Sequence, residues 1–557
     1  MLVVWLAGCL IYQHHYPYVM TDMTMEHTTQ AVGLWHYYHA FSGSERWDAL
    51  LDVGTYYPRL PGLIALAFLK LTGPDSIWSL KILSLAWTAV GAIALFGIIR
   101  KYAGPAASMI GAGIWICMPL VLAEARSYTW QTQMTACGML ALLAWSRSDD
   151  FTRLGRVVLG GLLAAPCLLS VRGLPYLMLG PAAAALALES LWRAKKKGRL
   201  PRALLGTAIG GALALGLSAP FTISYLTTWG HRIGWQTFGQ YPQGETQGAG
   251  APFFYLIGFF THGAGPVLGA LTAVGMLAAI AFRRCSPLWI WVWALLPTIA
   301  LSTFGTKMVV YMVVAMPAFA ALGAIGIDYI PRSSLRKAAL VCACAALLIG
   351  WSWQNFVGPG LQSPDPDKGL DGFKRNPNLY EIANYAIAGD PTPGRQMLSL
   401  LHHIEPAAFV LLAGSGDDVG FGGMAVELQY AYPAIPLVIL YPSTGLYPEG
   451  LGEMWVVRKQ DIASDPGARD LMQLGRCLDH LKIRTYQVQE VDMILHHLRR
   501  LNTVDIDTIE LGPVKFPMPV MSLEDGAGPD HPGGMAQGIW PMQKTAICVA
   551  GKAVVER

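Results

Sequence analysis

Residues 82–147 read ILSLAWTAVGAIALFGIIRKYAGPAASMIGAGIWICMPLVLAEARSYTWQTQMTACGMLALLAWSR. Three runs in this stretch, 82–99, 102–123 and 127–146, contain no Asp, Glu, Lys or Arg. Each is close to the roughly 20 apolar residues that a helix needs to cross about 30 Å of hydrocarbon. In lipid every backbone N–H and C=O must be paired within its own segment, so these runs predict transmembrane helices. The breaks carry the rest of the information: Arg100 and Lys101 end the first run, Glu124 and Arg126 the second, Arg147 the third.

Working outward, the same pattern recurs at 1–13, 157–171, 173–188, 203–230, 246–282, 285–306, 308–327 and 338–364. The fold class is therefore a polytopic all-α membrane protein of about eleven transmembrane helices. Basic residues cluster between alternate runs: Arg100/Lys101, Arg147/Arg153/Arg156, Arg193/Lys195/Lys196/Lys197/Arg199/Arg202, Arg283/Arg284 and Arg332/Arg336/Lys337. These clusters hold 16 of the 24 basic residues before Phe356, which makes their face cytoplasmic by the positive-inside rule. The expected location is the cell (inner) membrane, multi-pass, with a long first loop (13–79), a loop near 225–251 and the tail all extracytoplasmic.

Of the 557 residues only 14% are charged, well under the roughly 25% of soluble proteins. Residues 1–356 carry 24 basic and 12 acidic residues, whereas 357–557 carry 16 and 24. The organisation is thus a membrane domain, 1–356, and an acidic soluble tail, 357–557. Short basic clusters with no continuous basic stripe exclude a nucleic-acid partner. The tail reads as an α/β domain: 407–413, 437–440 and 454–457 are strand-like, and 470–481 and 491–501 have helical periodicity. Its Gly-Ser-Gly-Asp-Asp turn (414–418) lacks the lysine of a phosphate loop and reads as a plain strand-to-helix turn.

Leu6-Ala7-Gly8-Cys9 has the look of a lipoprotein cleavage box, but no positive n-region precedes it, so an uncleaved first helix is expected. Its shortness suggests that a few upstream residues are missing from this start. In the first loop, 28–41 and 60–71 read as interfacial helices, with Trp35, Tyr37 and Tyr38 at headgroup level, or as two further packed helices. Cys9, Cys117, Cys137, Cys167, Cys342 and Cys344 lie in apolar spans and are expected to be small core residues; Cys477 and Cys548 could pair in the tail.

Ionisable residues at the ends of apolar spans are candidates for function, because burying them is costly without a partner or a task. On the outer side these are Asp22, Glu26, Arg59, Glu124, Arg126, Arg172, Arg232 and Lys307. The cations suit a lipid-linked phosphate, and a carboxylate above them could take a proton from an incoming hydroxyl or amine. Asp22 and Glu26 share one face if their segment is helical. Trp229 and Trp235, near Arg232, could stack on a sugar or serve as belt residues. No metal is assigned, since His14, His15, His27, His36 and His39 fit no ligand spacing and read as packing; a divalent metal stays open.

The layout resembles the GT-C fold of membrane glycosyltransferases, in the branch of the protein O-mannosyltransferases and lipid A aminoarabinose transferases. The resemblance rests on an acid early in the first loop (Asp22), on Tyr57-Pro58-Arg59-Leu60-Pro61-Gly62-Leu63 running into Lys70-Leu71-Thr72-Gly73, and on Lys307 to Tyr311 followed by Met316-Pro317-Ala318-Phe319. Arg172-Gly173-Leu174-Pro175 with Gly180-Pro181, and Ala251 to Leu256, are weaker matches. It implies an integral membrane glycosyltransferase that moves a sugar from a polyprenyl-phosphate donor to an extracytoplasmic protein, lipid or glycan, by inverting transfer. The implied roles are Asp22 and Glu26 as catalytic carboxylates and Arg59, Arg172, Lys307 and Tyr311 around the donor phosphate. Glu124, Arg126, Gln131 and Arg232 give support.

The sequence departs from that pattern at Gln131, where the branch has an acid about five residues after an Arg, unless Glu124 substitutes. A non-catalytic membrane subunit that binds lipid, or a partner protein through 357–557, is therefore an alternative. A transporter is disfavoured because no inverted repeat or paired Gly/Pro-broken helices are evident and the ionisable residues gather at one face.

Overall fold

The computed structural model describes residues 1–15, 27, 31, 34, 38, 43, 47, 58–72, 77–171, 173–238, 254–282, 287–303 and 309–352, together with six strands in the tail. The helices are α1 (Leu2–His15), α2 (Leu60–Thr72), α3 (Ile77–Ile99), α4 (Pro105–Cys117), α5 (Pro119–Arg126), α6 (Trp130–Ser146) and α7 (Leu154–Leu168). They continue with α8 (Leu174–Lys196), α9 (Leu200–Phe238), α10 (Phe254–Gly258), α11 (Gly265–Ala281), α12 (Leu288–Thr303), α13 (Met316–Asp328) and α14 (Ser333–Ser352). Each of the eleven apolar runs contains a helix. Among the described residues, Ser79–Ile99, Leu174–Lys196, Leu200–Ile223 and Ser333–Gly350 are long and apolar enough to cross a membrane, and α4 with α5 makes a fifth if counted as one.

The run 102–123 is broken where a single span was expected. Met118 is extended (φ −63°, ψ 131°) because the Pro119 ring disfavours a helical residue before it, and α5 leaves α4 at 65°. Two other irregular segments follow, a π-helical turn Phe259–Gly263 and a 3₁₀ turn Val309–Val314, and both pack against α5. Irregular backbone at such depth occurs where it is buried in protein or lines a cavity.

Small residues set the helix spacing. α11 and α13 cross at Gly275, Gly323 and Gly326, where a Cβ on Gly326 would collide with the Gly275 carbonyl. This is the close approach that small residues permit where lipid offers no hydrophobic drive for association. Three buried tryptophans tie helices together through their indole N–H: Trp5 Nε1 donates to the Ile116 carbonyl (2.9 Å), Trp293 to the Val314 carbonyl (2.9 Å) and Trp289 to the Tyr102 hydroxyl (3.0 Å). Cys9, Cys117, Cys137 and Cys167 are buried as expected, whereas Cys342 and Cys344 are exposed because α14 packs along a narrow strip only.

The described basic clusters meet at one end of the bundle, and Arg283 and Arg284 lie outside the described residues. Asp150 accepts from Arg193 (2.8 Å) and Lys197 (2.6 Å), and Asp149 pairs with Arg199 (3.3 Å). Lys101 donates to the Ser146 carbonyl, Arg147 to that of Gly97 and Arg156 to that of Arg147. Asp328 accepts from the Gly104 N–H at 2.9 Å. Burial pushes the Lys101 amine down to about 8. Burial raises the Asp150 carboxyl, but hydrogen bonds from Lys197 and Arg193 outweigh it and hold the group below its ordinary value. Asp149, Asp150 and Phe151 are all left-handed (φ 53°, 58° and 62°), and Phe151 is buried beside Trp145.

In the tail, β1 (Pro406–Leu412), β2 (Leu437–Leu440), β3 (Glu453–Arg458) and β4 (Asp507–Glu510) form a sheet in the order β2-β1-β3-β4. β1 runs parallel to β2 and antiparallel to β3. β5 (Thr545–Val549) and β6 (Lys552–Glu556) form a separate hairpin pair. The three expected strands coincide with β1, β2 and β3; the expected helices 470–481 and 491–501, the 414–418 turn, Cys477 and Cys548 lie outside the described residues.

Candidate functional site

The opposite end of the bundle collects buried polar side chains of a different kind. Gln13 at the end of α1, Lys81 and Ser84 at the start of α3, Glu124 and Arg126 on α5, and Thr129, Gln131, Thr132 and Gln133 at the start of α6 are all buried, as is His27 of the first loop. The break at Pro119 makes this possible. A straight continuation of α4 would carry its last turn onward along the span, whereas the bend lays α5 against α3, α6 and both irregular turns.

The start of α6 organises the cluster. Its N-cap Thr129 makes no capping bond from its own side chain, and other elements take the free N–H groups. Ser84 Oγ accepts from the Thr129 N–H (3.2 Å), and His27 Nδ1 accepts from the Trp130 N–H (3.2 Å). The His27 ring stacks on Trp130 with centroids 4.2 Å apart and planes 10° apart. With Nδ1 an acceptor, the imidazole proton belongs on Nε2. His27 therefore does pack, as the sequence suggested, and it also ties the first loop to α6 one residue after Glu26.

Glu124 and Arg126 are two residues apart on α5, about 200° around a helix, and face different neighbours. Arg126 turns to α1: its guanidinium stands beside the Cys9 thiol, and Gln13 Nε2 donates to its carbonyl (3.1 Å). Glu124 turns to α6, where the Thr129 hydroxyl lies beside the carboxylate and donates to the Glu124 carbonyl at 3.5 Å. Gln131, at 0% exposure, occupies the second position of α6. Thus Glu124, Arg126 and Gln131 do share one end of the fold.

The remaining candidates divide by position. Arg59 is half-buried directly before α2, with Nε in the interior. Tyr311 is half-buried on the 3₁₀ turn, which packs against α5, α6, α8 and the π-helical turn. Asp22, Glu26, Arg172 and Lys307 lie outside the described residues, and Arg232 lies on α9 beyond its described side chains. The expected meeting of Arg59, Arg172 and Lys307 is therefore untouched by these observations. The same holds for a metal at Asp22 or Glu26; among the described residues no three His, Cys, Asp or Glu side chains are grouped to hold one.

The first-loop segments pack on each other. His27, Ala31, Leu34 and Tyr38 fall on one helical stripe, Leu34 fills the space over Gly62 of α2, and Lys70 of α2 sits 3.3 Å from the Tyr38 ring centroid. Lys81 was missed altogether. Its side chain is 1% exposed, one turn before Ser84 on the same face of α3. The signal was an ionisable residue opening an apolar run, which goes unseen when the run is counted from 82.

Comparison with known proteins gives three findings. The sequence profile of the dolichyl-phosphate-mannose-protein mannosyltransferase family matches residues 57–222. The fold is similar to a crystal structure of ArnT from Cupriavidus metallidurans bound to undecaprenyl phosphate, with a TM-score of 0.53 and 15% identity over 79% of this chain and 84% of that one. The apo state of the same ArnT gives a TM-score of 0.52 and 14% identity, over 79% and 85%. No curated protein matches in sequence. The chain has the GT-C fold of membrane glycosyltransferases.

Proposed function

We propose that this chain is an integral membrane glycosyltransferase that takes a sugar from a polyprenyl-phosphate donor and passes it, with inversion, to an extracytoplasmic acceptor. One coincidence carries the reading: the mannosyltransferase profile spans 57–222, and Arg59, Lys81, Glu124, Arg126 and Gln131 of the polar end all fall inside it. The neighbour of known structure binds undecaprenyl phosphate, in keeping with a polyprenyl donor. The donor and the membrane lipid around it are then the first partners, and the acceptor is a protein, lipid or glycan.

In this reading the acceptor's lone pair attacks the sugar C1 from the side opposite the phosphate. The C1–O bond breaks, polyprenyl phosphate leaves as an anion, and Asp22 takes the acceptor's proton while Glu26 orients it. Arg59, Arg172 and Lys307, with Tyr311, stabilise the charge that develops on the phosphate, which is the larger part of the catalysis. Arg126, Gln131 and Arg232 support them. The polar end then faces outward from the inner membrane, and the basic end faces the cytoplasm.

Asp22→Asn keeps size and hydrogen bonding but removes basicity, so turnover should fall about 100-fold or more with donor binding nearly unchanged. Full transfer by the variant in reconstituted vesicles would defeat the assignment. Gln131, standing where an acid was expected, favours a second reading, a non-catalytic subunit that uses 357–557 to hold a partner protein. Wild-type protein that binds polyprenyl phosphate yet transfers nothing, with Asp22→Asn complementing fully, would select it.

A further inference from the structure

We infer that Glu124 accepts a hydrogen bond from a hydroxyl of the sugar on the donor, through an oxygen that the described residues leave unmet; this rests on the glycosyltransferase reading above. Glu124 is 5% exposed, makes no ion pair among the described residues, and has in Oε2 a buried oxygen with no hydrogen-bond partner among them. The nearest cation on its own helix, Arg126, points the other way toward Cys9. A buried carboxylate with an unmet oxygen is unfavourable, and such groups persist where something outside the chain completes them.

Three surroundings bear on what could meet this oxygen. α6 is a 17-residue helix whose first N–H groups, at Thr129 and Trp130, are already taken by Ser84 and His27. α5 itself is held between α6, the π-helical turn and the 3₁₀ turn that carries Tyr311. The first loop, which bears Asp22 and Glu26, is tied to the same helix start at His27. The carboxylate therefore borders the place where the loop and the irregular turns come together.

The chemistry of the donor then selects the partner. Its prenyl chain has no hydrogen-bond donor, and its phosphate is an anion that a second anion repels. Only the sugar hydroxyls offer O–H groups, and a bond from hydroxyl to carboxylate is short and charge-assisted. A hydroxyl or amine of the acceptor has the same chemistry, and binding measured without acceptor separates the two.

The test uses full-length protein in nanodiscs, a polyprenyl phosphate and its mannosyl ester, and the variants Glu124→Gln and Glu124→Asp. Glu124→Gln should weaken binding of the mannosyl ester by about 10-fold or more and that of the bare phosphate by less than about 3-fold, because only the charge-assisted bond to the sugar is lost. Glu124→Asp, which keeps the charge on a shorter arm, should fall between and provides the same comparison if the Gln variant does not fold. Equal losses for the two ligands, or no loss, would overturn the inference while leaving the function intact. Unchanged binding of the ester with a raised KM for the acceptor would overturn it in favour of the acceptor. Wild-type protein that binds neither ligand would remove the glycosyltransferase reading and this inference with it.

Discussion

At the basic end Asp150 holds Arg193 and Lys197 at 2.8 and 2.6 Å, and nearby Lys101 and Arg147 donate to carbonyls of α6 and α3. At the polar end Glu124 is more deeply buried than the half-buried Asp150, yet one of its oxygens meets no partner among the described residues. Both ends come from the same kind of sequence, a few ionisable residues between apolar runs. The difference lies in what surrounds them. Where opposite charges arrive from neighbouring loops, burial is compensated within the fold and the groups act as fasteners. Where a helix is broken, polar groups gather through hydrogen bonds with no ion pair in which Glu124 takes part among the described residues, and we assign the remaining compensation of that carboxylate to a ligand.

The comparison breaks most visibly if the polar end proves to be structural. Arg59→Ala and Lys307→Ala should each weaken donor binding by more than about ten-fold, since a charge-assisted contact to phosphate contributes roughly 1.5–3 kcal/mol. Their thermal stability should move little. Unaltered affinity in nanodisc binding measurements would take both residues out of the site, and a large loss of stability instead would make this end resemble the other.

Next in size is Asp150→Ala, which leaves Arg193 and Lys197 facing each other without their anion. Partial exposure of both cations limits the loss to about 1–2 kcal/mol, with transfer per folded molecule unchanged. Denaturant unfolding in detergent provides the number, and an activity loss beyond the folded fraction would couple the two ends. The same pair predicts acid sensitivity. The folded Asp150 carboxyl titrates below its unfolded value, so its contribution is complete above about pH 4 and disappears as pH falls through the folded value. Asp150→Asn should remove that component of the pH dependence.

The smallest effect is the sharpest discriminator. Glu124→Gln replaces a charged, incompletely paired group by a neutral one, so it should raise stability by a few tenths of a kcal/mol to about 1 kcal/mol even as ligand binding suffers. A melting-temperature drop like that of Asp150→Ala would show that Glu124 is a fastener as well.

Much of this was legible in the sequence. Each charge-free run holds a helix, and the described basic clusters do assemble at one end, because both follow from the cost of charge and bare backbone in hydrocarbon. Cys117-Met118-Pro119 was read through: a run free of charge looks continuous to hydropathy, and the effect of Pro on the preceding residue is steric. Lys81 was hidden by counting apolar residues, and the exposure of Cys342 and Cys344 by treating every span as core. The order of the site was legible only in part. Glu124, Arg126 and Gln131 are close in sequence and therefore in space, but the role of His27 as acceptor for the Trp130 N–H depends on a contact across 103 residues that no local pattern encodes.

The left-handed turn at Asp149–Phe151 sets a timetable for biogenesis. Three successive residues in that conformation are unfavourable by roughly 1–2 kcal/mol each, and the cations that hold Asp150 follow it by 43 and 47 residues. Within the hairpin of α6 and α7 the turn is held by Ser148, whose hydroxyl accepts from the Phe151 N–H at 3.0 Å and whose carbonyl accepts from the Arg153 N–H at 2.9 Å, and the two cations on Asp150 come only with the last turn of α8. A nascent chain arrested after Leu168, which has the local bonds but not the cations, should therefore be cut at this turn faster than one arrested after Arg202.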